Sequence, residues 1–103
     1  MRIHKKVGKE LERLDFSMRR RLAELFGFLA EGGNLGMPVR RPMPIVEHGV
    51  HELRIKDRSG QYRIFYYTKL ADAILVFHFF KKKTQETPSQ EIKTAKNRLL
   101  EML

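Results

Sequence analysis

The sequence predicts an α+β domain in which an N-terminal helical hairpin and a C-terminal helix pack on a mainly antiparallel sheet of about four strands. Three observations predict this class. Residues 5–31 and 87–103 repeat apolar side chains at helical spacing, and residues 51–80 contain three strand-like segments. Prolines within residues 35–47 allow only an edge strand or a loop there. The length suits a single domain that covers residues 1–103.

Two amphipathic helices are predicted in the first third of the chain. Apolar stripes within residues 7–14 and 22–29 have the spacing of one helical face. Between them, Asp15 or Ser17 could cap the second helix, because short polar side chains accept hydrogen bonds from free backbone N–H groups. Residues 32–34, Gly-Gly-Asn, are a typical helix end. We expect this hairpin to cover one face of the sheet.

Three segments form the core of the predicted sheet. In residues 51–56, apolar and charged side chains alternate, which is the pattern of a strand with one buried face and one solvent-facing face. Residues 61–68 are rich in aromatic and β-branched side chains, and the turn at residues 57–60 joins them to the first segment as a hairpin. Residues 73–80 are so apolar that a strand buried on both faces is expected.

The chain is predicted to close with an amphipathic helix. Thr87 is the expected N-cap, Pro88 the first helical residue, and Gln90 the partner that completes a capping box. An apolar stripe at helical spacing then runs from Ile92 to Met102.

Composition limits the classes of function. The formal net charge of +9 favours a polyanionic partner, nucleic acid before a membrane surface or an acidic protein. No apolar run could span a membrane and no signal peptide is recognisable, so a cytoplasmic location without a membrane partner is expected. The absence of cysteine excludes thiolate chemistry. The histidines lack metal-binding spacing and no phosphate-binding glycine loop occurs, so neither a metal nor a cofactor is expected.

A meander of the three strands would bring several cations together. Arg54 and Lys56 point to one side of the first strand, Arg63 lies on the second, and residues 81–83 are lysines that follow the third. Such cations can bind phosphates and stabilise a pentacoordinate phosphorane. The alternative is that they only make the wet face of the sheet soluble. For His78, among phenylalanines, a packed core histidine is the alternative to a catalytic base.

The order of these motifs resembles a known toxin family. The chain contains VHELRI, then YRIFYY, then LVFHFFKKKTQETPSQEIKTA, within residues 50–95. This pattern is similar to the RelE/HigB toxins of bacterial type II toxin–antitoxin systems, and specifically to the phage-derived Gp49-like branch. An ELR strand, a YR-aromatic strand and a hydrophobic strand leading into F-x-K-K-T-x-x-T-P carry the resemblance.

The resemblance implies a RelE/ParE-like fold and a ribosome-dependent endoribonuclease that cuts mRNA by attack of a 2′-hydroxyl. Its implied partners are the ribosome, mRNA and a cognate antitoxin, a helix-turn-helix DNA-binding protein. By position, the catalytic cations would be Arg54, Arg63, Lys82 and Lys83. Further RNA-binding candidates are Lys56, Arg58, Lys81 and His78. Crowding by cations could lower the pKa of Lys82 or Lys83 enough for proton transfer.

Two other functions stay open at this point. The related ParE toxins poison DNA gyrase without cutting RNA, and they would not need this set of cations. A non-catalytic basic module that binds nucleic acid or only its antitoxin would have a similar sequence. Cleavage of translated mRNA is the observation that separates these possibilities.

Overall fold

The computed structural model describes residues 1–36, 39–82 and 87–103. The strands are β1 Arg2–Ile3, β2 Arg40–Pro42, β3 Val50–Asp57, β4 Gly60–Tyr67 and β5 Leu75–Lys82. The helices are α1 Lys5–Glu12, α2 Phe16–Ala30 and α3 Ser89–Met102. The five strands form one mixed sheet in the order β1-β5-β4-β3-β2. The predicted α+β class, with helices at both ends of the chain, is confirmed.

The α1–α2 hairpin covers one face of the sheet, as predicted. We call this side the hairpin face. Its core consists of Val7, Met18, Leu22, Phe26, Leu29, Leu53, Ile55, Ile64, Tyr66, Val76 and Phe79. Helix α3 packs on the opposite side, the α3 face. The core there consists of Val46, Val50, Phe65, Leu75, Phe77, Phe80, Ala95 and Leu99. Burial of these two apolar sets is the main stabilisation of the fold.

The strand register decides which charged residues share the α3 face. In the antiparallel pairing of β3 with β4, Arg54 lies opposite Arg63. In the pairing of β4 with β5, Arg63 lies opposite Phe80, and Gln61 lies opposite Lys82. Because directly opposed residues project to the same side of a sheet, Arg54, Arg63 and Lys82 all belong to the α3 face.

A β-bulge places two consecutive residues of β5 beneath α3. The register between β4 and β5 shifts, so that Phe65 lies opposite His78 while Tyr66 lies opposite Val76, and Phe77 is left between them. Phe77 packs in the core of the α3 face. His78 also contacts α3, so the bulge buries both side chains under this helix.

The predicted N-cap of α2 is confirmed, and the predicted N-cap of α3 is not. The Asp15 carboxylate accepts a hydrogen bond from the backbone N–H of Met18 at 2.8 Å and so caps α2. The capping box predicted for α3 is wrong, because Pro88 occupies the N-cap position and no side chain caps the helix. Thr87 instead donates its hydroxyl hydrogen to Oε2 of Glu52 at 3.4 Å.

Strand β1 was not predicted. It runs parallel to β5, and the backbone N–H of Arg2 donates to the carbonyl of Ile74 at 2.8 Å. The opposite edge is the short strand β2, which ends at Pro42 and agrees with the edge strand expected there. The proline and the brevity of both edge strands limit further strand pairing.

Candidate functional site

A buried carboxylate, Glu52, lies at the centre of a group of cations on the α3 face. Glu52 is only 2% exposed. Its Oε1 lies 3.4 Å from Nε of Arg54 and 3.6 Å from Nε of Arg63. The alternating pattern of β3 predicted that Glu52 faces solvent, and this prediction is wrong because the segment that enters α3 lies over it and contacts it through Thr87.

The two arginines are held in unequal positions. The Arg63 side chain is 5% exposed and donates from Nη2 to Oε1 of Gln61 at 3.1 Å, whereas the Arg54 side chain is 26% exposed. Both Nε atoms are buried and make no hydrogen bond to the described residues. Like charges directly opposite each other on neighbouring strands repel, so the carboxylate of Glu52 is what makes this pair tolerable.

Two further cations complete the group. Arg41 lies directly opposite Glu52 in the pairing of β2 with β3 and is exposed. The pKa of Lys82 is lowered, first by burial and then by the positive charge of Arg63, with Arg54 and Arg41 acting in the same direction. We call Arg41, Arg54, Arg63 and Lys82 the cation cluster. Because Glu52 is its one buried carboxylate among the residues described, the cluster carries an excess of positive charge.

Lys56 and Lys81 lie on different faces of the sheet. Lys56 is exposed on β3 and lies opposite Gln61, which in turn lies opposite Lys82, so it extends the row of cations on the α3 face. Lys81 lies opposite Tyr62, with Nζ 5.9 Å from the centre of that ring. It therefore does not join the cation cluster.

The remaining predicted site residues are Arg58, His78 and Lys83, and the structure does not place any of them in the cation cluster. Arg58 is exposed in the turn between β3 and β4. Lys83 lies outside the residues that the structure describes. His78 is buried beneath α3, away from solvent. The structure thus brings together three of the four predicted catalytic cations, Arg54, Arg63 and Lys82.

Both ring nitrogens of His78 contact side chains of α3. Its Nε2 lies 2.7 Å from Oε1 of Glu91, and its Nδ1 accepts a hydrogen bond from Nη1 of Arg98 at 3.1 Å. Arg98 also lies 3.6 Å from Oε1 of Glu10 on α1. Burial above all lowers the pKa of His78, which keeps the ring neutral and Nδ1 free to accept. This geometry supports a packing role.

Sequence reasoning missed Glu52 and Arg41 as members of the site. Glu52 stands two positions before Arg54 in the same strand, and this spacing places both side chains on one face. A lone acid in a strand rich in cations was therefore a usable signal. Arg41 gave no such signal, because its position depends on how the edge strand pairs with β3.

Two further kinds of feature do not occur in the described ranges. No cluster of three or more potential metal ligands occurs in residues 1–36, 39–82 and 87–103. No helix in the same ranges is long and apolar enough to cross a membrane.

Comparison with known proteins identifies the family. The model of the family described as phage derived protein Gp49-like matches residues 9–100. No curated protein matches the sequence. The matched residues include all of β2 to β5 and the whole cation cluster. The match confirms the resemblance predicted from the ELR, YR and lysine motifs.

Proposed function

This chain belongs to the Gp49-like family, the phage-derived branch of the RelE/HigB-like toxins, and we propose that it is the toxin of a type II toxin–antitoxin system that cleaves mRNA on the ribosome. The observation that carries this proposal is the cation cluster, in which two guanidinium groups share one buried carboxylate beside Lys82 and Arg41. The excess positive charge suits a phosphodiester that gains negative charge in the transition state.

The exposed members of the cluster are the ones that would contact RNA. Arg54, Lys82 and Arg41 reach the surface of the α3 face, where they can bind the non-bridging oxygens of a phosphate. Arg63 lies beneath them and acts through its charge and by holding Glu52. Lys56 extends the same surface and would bind a neighbouring phosphate.

Within the cation cluster, Lys82 is the group best suited to transfer a proton. Because burial and nearby guanidinium groups lower its pKa, more of its neutral form is present than for an ordinary lysine. Neutral Lys82 would take the proton of the 2′-hydroxyl as O2′ bonds to phosphorus. The bond from phosphorus to O5′ then breaks, and O5′ takes up a proton from solvent. The products are a 2′,3′-cyclic phosphate and a free 5′-hydroxyl.

The proposal also includes the partners and the location of the reaction. The ribosome would present mRNA in a strained, accessible form, so that the protein supplies charge and one proton acceptor. A cognate antitoxin, a DNA-binding protein, would neutralise the toxin. The reaction would take place in the cytoplasm, where translated mRNA is found.

Primer extension on a reporter mRNA in a translating extract tests the proposal. We expect cuts within codons of the mRNA. These cuts should depend on ribosomes and be absent from a matched reaction that contains no ribosomes. Co-expression with the antitoxin would suppress these cuts. If cells arrest while mRNA stays intact, the target is gyrase, as for ParE toxins, or another molecule. The cation cluster would then be a binding surface.

A further inference from the structure

A cavity of about 370 Å³ opens beside the cation cluster, between edge strand β2 and the start of α3. Its apolar walls come from two separate segments, Met43 to Ile45 after β2 and Ile92 on α3. Ile45 is 63% exposed, although isoleucine is among the residues most often buried in proteins. A cavity with an apolar wall that includes an exposed isoleucine is suited to a flat ligand with a weakly hydrated face.

The polar lining of the cavity is shared with the cation cluster. Lys82 and Arg41 line it, together with Glu52 and Thr87. A ligand in the cavity is therefore next to the groups that would bind a phosphate. An RNA chain has this combination, because each base is joined through its ribose to a phosphate.

We propose that this cavity binds one base of the RNA whose phosphate lies on the cation cluster, an inference that rests on the proposed function. Its volume is near the lower limit of about 300 Å³ for ligand pockets, which suits a single heterocycle. The side chains of Ile45 and Ile92 would contact the faces of the base. Contacts of this kind tolerate any base, because every base has an apolar face.

The polar end of the cavity adds a preference among bases. Thr87 gives its hydroxyl hydrogen to Glu52, so the Thr87 oxygen offers only lone pairs to a ligand. It can accept a hydrogen bond from the exocyclic amino group of adenine, cytosine or guanine. Uracil has no amino group, and its one donor at the pairing edge, N3–H, lies between two carbonyl oxygens that the Thr87 oxygen and the Glu52 carboxylate would repel, so uracil is expected to bind most weakly.

Methyl NMR tests this site without any cleavage. The chain has six isoleucines, and Ile55 and Ile64 in the core of the hairpin face are internal references for Ile45 and Ile92. The probe is a trinucleotide with 2′-O-methyl riboses, which cannot be cut by attack of a 2′-hydroxyl. We expect the δ1-methyl signals of Ile45 and Ile92 to shift with an adenine or cytosine trinucleotide and to stay nearly unchanged with an abasic one. Equal shifts with both probes, or no shift at all, would overturn the proposal.

A matched pair of variants measures the contribution of the wall. Ile45→Ser should weaken trinucleotide binding about tenfold, because the substitution removes most of the apolar surface that Ile45 offers to the base. Leu100→Ser is the control, because Leu100 is 71% exposed on α3 and does not line the cavity. Equal effects of the two substitutions, or uracil bound as tightly as cytosine, would contradict the inference. Base-dependent binding without mRNA cleavage would refute the proposed function alone.

Discussion

Two buried ionisable residues flank the same phenylalanine and have opposite surroundings. Glu52 on β3 and His78 on β5 both lie opposite Phe65 on β4. His78 is covered by α3, and each of its ring nitrogens has a partner. Glu52 is surrounded by more cations than it can neutralise, and the Nε atoms of its two arginines have no hydrogen-bond acceptor among the described residues.

We interpret this difference as that between a structural polar group and a candidate site for an anionic ligand. At α3, Arg98 lies between the carboxylate of Glu10 and neutral His78, and the other ring nitrogen of His78 contacts Glu91. Such a satisfied network fixes the helix on the sheet. The cation cluster is left unbalanced, which costs stability unless an anion binds there.

We expect the largest effect on the rate of mRNA cleavage, when a partly exposed cation of the cluster, Lys82, is removed. Lys82→Met should lower the single-turnover cleavage rate about 100- to 1,000-fold, which is the usual loss when one group that stabilises developing charge is removed. The melting temperature should hardly change, because Lys82 is partly exposed. Lys93→Met, at an exposed position on α3, is the matched control and should cleave like the wild type.

Removing the charge of Glu52 should mainly cost stability. Glu52→Gln keeps the volume but leaves Arg54 and Arg63 uncompensated, and we expect a loss of about 3 kcal/mol in the free energy of unfolding. Glu91→Gln should lose only about 1 kcal/mol, because the Glu91 side chain is more exposed and its partner His78 is neutral. Urea unfolding measures both. Equal losses would mean that the two regions do not differ as described.

The pH dependence of cleavage tests the role of Lys82 as proton acceptor. The rate should rise up to tenfold per pH unit until the pH reaches the lowered pKa of Lys82, and then level off. Lys82→Arg keeps the positive charge but cannot release a proton in this range. Its profile should lose the rise that Lys82 causes. An unchanged profile in this variant would assign the proton transfer to another group.

A smaller effect concerns the stability of the fold at acidic pH. Burial lowers the pKa of folded His78 below its ordinary value of 6.5, so the unfolded chain binds more protons at lower pH. The free energy of unfolding should therefore fall as the pH drops from about 6.5, by at most about 1.4 kcal/mol per pH unit for this group. His78→Gln, which retains a donor and an acceptor, should reduce this slope. We expect His51 to cause the pH dependence that remains in this variant, because burial lowers the pKa of His51 as well.

Patterns within one segment were predictable from the sequence. The alternation in β3, the aromatic β4 and the apolar β5 gave three strands close to their actual bounds, and Asp15 was a correct capping candidate. The grouping of Arg54, Arg63 and Lys82 followed from a simple meander, because antiparallel register places opposed residues on one face.

Features that depend on distant segments were not predictable in the same way. Strand β1 has only two residues and pairs with β5, more than 70 positions further along the chain. The burial of Glu52 depends on the segment that carries Thr87, which also explains why the capping box does not form. The bulge beside Phe77 cannot be read from an apolar run, because every residue of such a run fits either face.

The most direct test of the account compares two arginines on the same side of the sheet, Arg54 of β3 in the cation cluster and Arg98 of α3. Single-turnover cleavage of mRNA on programmed ribosomes would be measured for Arg54→Met and Arg98→Met, well below the melting temperature of both. We predict that Arg54→Met cleaves at least about 100-fold more slowly, while Arg98→Met stays within about threefold of the wild type despite a lower melting temperature. Equal losses, or a greater loss for Arg98→Met, would contradict the assignment of the cation cluster as the site of cleavage.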